Sequence, residues 1–146
     1  MATINTYLTF NGNCEEAFNH YKAVFGGDFS SISKFSDMPE DPKYPVSEAD
    51  KDKIMHVSLP ISKETVLMGS DTGAEWGKQF KQGNNFSISI NANNREEADN
   101  FFKELSQNGE VIMPMSDTFW ESYFGMLKDR FGIQWMVSYD NPSRVK

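Results

Sequence analysis

Apolar and polar positions along the chain recur at two periods, and the switches between them outline the elements. Ile4 to Phe10 reads as a strand. Cys14, Ala17, Phe18, Tyr21 and Phe25 then recur at helical spacing and form one apolar face. Asn13 and Glu16 are spaced as a capping box, and Gly26-Gly27 supplies the stop. Phe29–Phe35, Lys53–Leu59 and Thr65–Ser70 read as three further strands. The pattern then restarts. Asn85–Asn91 alternates strictly, with Phe86, Ile88 and Ile90 on one face and Ser87 and Ser89 on the other. Asn93 and Glu96 are spaced as a second capping box. Ala98, Phe101, Phe102 and Leu105 make a second helical face, ended by Asn108-Gly109. Glu110–Met115, Tyr123–Lys128 and Gly132–Tyr139 close the series as strands.

The order is therefore βαβββ, twice. Residues 15–22, E-E-A-F-N-H-Y-K, return at 96–103 as E-E-A-D-N-F-F-K, an offset of 81. Such self-similarity marks a duplicated module. The expected fold class is α+β: two βαβββ modules forming one curved, mostly antiparallel sheet with the helices on its outer face. The first module spans about 3–70, a glycine-bearing linker 71–84, and the second module about 85–140, all within one domain of residues 1–146. In the linker, Trp76 and Phe80 are spaced for a short helical turn. The helix-free face is expected to curl into a cleft, with Ser87 and Ser89 pointing into it. With the strands of the two modules offset by about 79, Thr6 corresponds to Asn85, and Met68 lies opposite Met136.

Residues 36–52 break both periods. They carry Pro39, Pro42 and Pro45 and the acids Asp37, Glu40, Asp41, Glu48, Asp50 and Asp52. This reads as a long surface loop, open to two interpretations: a lid or a mobile connection.

Composition narrows the function. The chain has 146 residues and a net charge of −7, which argues against nucleic acid and anionic membrane as partners. No apolar run approaches the ~20 residues of a membrane span, and no signal peptide is evident. The expectation is a cytoplasmic protein. Cys14, the one cysteine, can form neither an internal disulfide nor a Cys-rich zinc site. There is no phosphate-binding glycine loop and no nucleophile elbow.

The segments Leu8–Ala17, Tyr21 with Val24–Gly27, Met55–Leu59, Leu67–Asp71, Met113–Met115, Thr118–Trp120, Phe124–Met126, Asp129, Phe131-Gly132 and Trp135 resemble PhnB-like proteins in sequence and order. These belong to the vicinal oxygen chelate superfamily of glyoxalases, bleomycin-resistance proteins and dioxygenases. The resemblance implies paired βαβββ modules around a cleft, a homodimer, and, in the metalloenzymes, a divalent ion held by His and Glu. By rough alignment those ligand positions fall on Thr6, Met68, Asn85 and Met136. None is the imidazole or carboxylate that such an ion takes. Neither metal nor other cofactor is expected at the superfamily's site.

Candidate residues follow from these expectations. His56 alternates with Met55 and Val57, which turns it toward the cleft as a polar contact or a proton-transfer group. Trp120, Tyr123 and Phe124 fit either an apolar wall for a ligand or a plug for the sheet's open end. The methionines fit either an adaptable ligand surface or core filling. The expected ligand-binding set is Thr6, His56, Met68, Asn85, Ser87, Trp120, Tyr123 and Met136, and the expected ligand is a small, partly apolar molecule. The rivals are a glyoxalase- or dioxygenase-type enzyme, metal-dependent or using His56, and a dimeric interaction module without a ligand.

Overall fold

A computed structural model describes residues 2–39, 41–43, 45–73 and 76–140. The chain divides into two compact units, Met1–Lys81 and Gln82–Lys146. In the first unit β1 (Thr6–Phe10), α1 (Cys14–Phe25), β2 (Ser31–Lys34), β3 (Ile54–Pro60) and β4 (Val66–Asp71) follow in order. The second repeats this with β5 (Ile88–Asn91), α2 (Arg95–Leu105), β6 (Glu110–Asp117), β7 (Ser122–Lys128) and β8 (Gln134–Asp140). The expected α+β class with two βαβββ modules is present as two four-stranded sheets, ordered β1-β4-β3-β2 and β5-β8-β7-β6. In each unit the first strand runs parallel to the last, and the other pairings are antiparallel. Among the described residues no helix is long and apolar enough to cross a membrane.

Each helix covers one face of its own sheet. Cys14, Ala17, Phe18 and Tyr21 are the buried residues of α1, as its period dictates. Phe18 meets Phe10 edge-on, with ring centroids 6.1 Å apart. The close approach requires a glycine beneath it: a Cβ on Gly69 would lie 2.6 Å from Phe18 Cε1 and 2.9 Å from the Leu8 carbonyl oxygen. In the second unit the glycine sits on a different strand. A Cβ on Gly125 would lie 2.9 Å from Phe102 Cε2 and 2.6 Å from Met115 Sδ. We expect Gly69→Val to lower stability by about 2 kcal/mol through overpacking against backbone, read as a lower urea midpoint at unchanged slope. A midpoint within error of the parent protein would contradict this packing.

The helix starts differ from the sequence expectation. Asn13 makes no side-chain cap. A distant carboxylate does the work instead: Asp71 Oδ1 accepts the N–H groups of Gly12 and Cys14, each at 2.9 Å. The α2 cap falls one residue later than the expected Asn93 and Glu96. Asn94 accepts from the Glu97 N–H at 2.7 Å, and Glu97 accepts from the Asn93 N–H at 3.1 Å. Gly26 closes α1 with φ +81°, its N–H donating to the Lys22 carbonyl.

The 36–52 segment is tied down at both ends. Phe35 and Ser36 donate to the carbonyls of Lys53 and Lys51, and Lys34 N–H donates to Asp37 at 2.8 Å. Asp50 is buried with Lys53 Nζ 2.9 Å away. Glu40 and Tyr44 lie outside the described residues. A short 3-10 turn over Trp76–Gln79 occupies the linker where the Trp76/Phe80 spacing suggests a helical turn.

Strand register fixes how the repeats correspond. The β3–β4 hairpin closes on Pro60 and Val66, and the β7–β8 hairpin on Lys128 and Gln134. Adding 68 to each member of the first pair gives the second, so Met68 corresponds to Met136. Thr6 pairs with Leu67, and Ile88 with Trp135, so the first strands are offset by 82 (88 − 6), not by 79. Thr6 therefore corresponds to Ile88, and Tyr7 to Ser89. Asn85 lies outside the strand, since β5 begins only at Ile88, and Phe86 is 58% exposed.

Candidate functional site

Leu8, Gly69 and Val57 stand in register on the helix-covered face of the first sheet. The residues between them point the other way. Tyr7, Met68, Ser58 and Ser31 form one row across all four strands of that helix-free face. Thr9 beside Ser70, and His56 beside Ser33, make up the next row. In the second sheet the corresponding rows are Ser89, Met136, Met126 and Met113, then Asn91, Ser138, Phe124 and Ser116. None of these described positions holds Asp, Glu, Lys or Arg, although the chain has 21 Asp+Glu and 14 Lys+Arg. The first face is thus lined mostly with hydroxyls, and the second is lined half with thioethers and an aromatic ring and half with hydroxyls and an amide.

A hydrogen-bond chain crosses the first face. His56 Nε2 lies 2.8 Å from Ser58 Oγ. Tyr7 Oη lies 3.5 Å from His56 Nδ1, a long contact that a bound molecule could tighten. With a neutral imidazole the chain runs in either direction. Tyr7 donating to Nδ1 leaves the Ser58 proton free to donate outward, and the opposite tautomer frees the Tyr7 proton. Ser58 is buried and Tyr7 is 48% exposed, so the chain opens at its tyrosine end.

The expected site residues distribute unevenly over this frame. His56 and Met68 share the helix-free face with Tyr7, and Met136 lies on the corresponding face of the second unit. Thr6 has the parity of Leu8 and belongs to the helix-covered side, so Tyr7 takes the place assigned to it. Asn85 and Ser87 precede β5. Trp120 lies in the β6–β7 turn, its ring 6.1 Å from that of Phe124. Tyr123 is a correction. It has the parity of Gly125, and its hydroxyl donates to Asp99 of α2 at 2.6 Å. Arg95 lies over its ring at 3.9 Å and grips Asp117 with both guanidinium nitrogens, at 2.7 and 3.4 Å. Tyr123 is thus bound into the helix side, not a free-face wall. The hydrogen bond to Asp99 pushes its phenol above the usual range, and the one from Arg95 holds the Asp117 carboxyl below its own. Cys14 is fully buried. Desolvation, then the charges of Asp71 and Glu15, push its thiol far up, which makes it a poor nucleophile.

Tyr7, Ser58, Met126 and Met113 were not among the expected contacts. Ser58 was legible as the second residue after His56 on the same strand. Met113 was not, because bulges on either side of it reset the parity of β6.

The free-face positions also test the superfamily's metal. Tyr7, Met68, Ser89 and Met136 occupy corresponding places in the two sheets. They offer phenol, hydroxyl and thioether groups, and among the described residues no three His, Cys, Asp or Glu gather into a cluster. This donor set does not fit a hard or borderline divalent ion, and we derive no step through one.

Comparison with known proteins agrees with this architecture. The sequence profile of the 3-demethylubiquinone-9 3-methyltransferase family matches residues 2–138. Protein PA1353 from Pseudomonas aeruginosa is 38% identical, with a TM-score of 0.81 over 96% of this chain and 98% of that one. A PhnB protein from Bacillus cereus, described as a putative 3-demethylubiquinone-9 3-methyltransferase, is 26% identical, with a TM-score of 0.74 over 94% of this chain and 99% of its own. A glyoxalase/bleomycin resistance protein from Albidiferax ferrireducens, 13% identical over 94% of this chain and 97% of its own, shares the fold at a TM-score of 0.65. The chain belongs to the 3-demethylubiquinone-9 3-methyltransferase family, a PhnB-like group with the glyoxalase/bleomycin-resistance fold.

Proposed function

We propose that the protein binds a small, uncharged, partly apolar molecule on the helix-free faces of its sheets, as a cytoplasmic homodimer. The observation that carries this reading is the absence of charge from the two central rows of each face in a chain that is 24% charged; on the second face charge returns only at the ends, at Lys128 opposite Glu110 and at Asp140. Binding sites are typically apolar surfaces with a few convergent polar groups. On the first unit's face Met68 supplies an adaptable apolar contact and Tyr7, His56 and Ser58 the polar ones; on the second unit's face Met136 and Phe124 supply the apolar contacts. A charged organic ligand would lose hydration there without gaining a counter-ion.

The test is a thermal-shift screen that sets uncharged heteroaromatic and polyol compounds against anionic ones, followed by affinity measurement on variants. The uncharged set is expected to stabilise the protein. Tyr7→Phe should weaken a binder on the first unit's face, and Met136→Ala one on the second unit's face, by about tenfold, the loss of ~1.4 kcal/mol. A screen whose hits are all anionic, or affinities indifferent to both substitutions, would sink the proposal. S-adenosylmethionine belongs in the same screen because of the family's name, and stabilisation by it alone would count against this reading.

The hydrogen-bond chain favours a second reading, acid–base catalysis through His56. There His56→Phe abolishes turnover of a bound compound while leaving its affinity within a few-fold. Turnover that survives this substitution excludes His56 as the acid–base group.

A further inference from the structure

Met113, Met126 and Met136 stand side by side on three adjacent strands, β6, β7 and β8, each directly opposite the next. Regularly paired residues such as Met126 and Met136 have Cβ atoms about 4.5–5.5 Å apart on one face, and Met113 faces Met126 between two bulges of β6. Each thioether arm turns about three bonds. The two outer sulfurs can therefore lean toward the central one and face a common point. Ser89 ends the row on the fourth strand, and no carboxylate or imidazole stands in it.

The row is particular to the second unit. Its counterpart in the first unit has methionine only at Met68, with Ser58 and Ser31 where the second unit has Met126 and Met113. Met115, two residues from Met113, is on the opposite side, against Gly125. Met113 is 42% exposed, which gives access, while Met126 and Met136 are half-buried. Thioethers are soft donors that select Cu(I) over the harder divalent ions. The protein's net charge of −7 favours a cation over an anion at its surface.

We propose that Met113, Met126 and Met136 form a site for one soft monovalent cation of the Cu(I) type. The site shares Met136 with the position of the hard-ion site the fold is associated with, and differs from it in its other two residues and in its donor chemistry. It does not depend on the organic ligand proposed above, although Met136 is common to both.

Ag(I), a redox-inert soft ion, is the probe. Titration of the full chain is expected to give one bound ion, with the ε-methyl resonances of Met113, Met126 and Met136 shifting together among the eight methionines. Met126→Leu should weaken Ag(I) by at least about tenfold while the thermal midpoint without metal stays close to that of the parent protein. Met68→Leu should change nothing. Should Met126→Leu unfold the protein, Met113→Leu at the exposed end of the row serves instead, with the same expected loss. Three results would each overturn the site: no Ag(I) uptake, uptake abolished by Cys14→Ala and unaffected by Met126→Leu, or shifts centred on Met68. The uncharged-ligand screen is read separately, so failure of one proposal leaves the other standing or falling on its own result.

Discussion

Asp71→Ala is expected to cost about 4 kcal/mol of folding stability. The carboxylate is buried and accepts three backbone N–H groups, those of Gly12 and Cys14 at Oδ1 and of Ile54 at Oδ2, each at 2.9 Å. These donors come from the start of α1 and the start of β3, while Asp71 itself ends β4. Removing the acceptor strands two fully buried donors and one partly buried one. A buried donor left unpaired costs roughly 1–3 kcal/mol, against a total stability of roughly 5–15 kcal/mol for a domain. Asp71→Asn keeps one acceptor oxygen but sets an amide N–H₂ against a backbone donor, so it should fall between the parent protein and the alanine variant. Urea denaturation of the three proteins tests this. A loss below about 1 kcal/mol for Asp71→Ala would mean that water takes over the orphaned N–H groups.

Asp129→Ala is the second large effect, expected at about 3 kcal/mol. Asp129 is 4% exposed, and its Oδ1 accepts the N–H groups of Phe131 and Ile133 at 2.9 and 3.0 Å. Its Oδ2 accepts from the indole Nε1 of the buried Trp135 at 2.8 Å. The residue thus sets the β7–β8 connection and anchors the largest side chain of the second unit's core. A double-mutant cycle separates these two roles. In a Trp135→Phe background, Asp129→Ala should cost about 1–2 kcal/mol less, because the indole bond is already gone. Equal costs in both backgrounds would show that the indole bond contributes nothing.

The first of these carboxylates also shows where the sequence stops being readable. The duplicated βαβββ order was legible because the repeated E-E-A motif and the 3.6-residue period are local. Asp71 was not, since two of its three partners lie 57 and 59 residues away in sequence, and an Asn-x-x-Glu spacing offered a plausible local cap in its place. The same limit affected the candidate site. His56 was assigned correctly to the helix-free side because alternation along one strand suffices. Thr6 was not, because its neighbour Leu67 is known only from strand register. Tyr123 looked like a wall residue beside Trp120 and Phe124. Its true side is set by Gly125 two positions on, where the sheet admits Phe102 from α2. A one-residue slip reverses a whole strand, so a site on a sheet face is only as legible as its register.

The parallel pairing of β1 with β4 has a consequence for how the protein is made. Thr6–Phe10 gains its hydrogen-bonded neighbour only after Val66–Asp71 has emerged from the ribosome, and Ile88–Asn91 waits in the same way for Gln134–Asp140. Within each unit the hairpin of neighbouring strands can close early, while the first strand stays an open edge until the last arrives. Asp71 ends that last strand, so α1 receives its N-terminal cap in the same event that completes the sheet. Assembly of each unit is thus gated by its final strand, and a nascent first unit halted before residue 66 exposes both an unpaired edge and an uncapped helix.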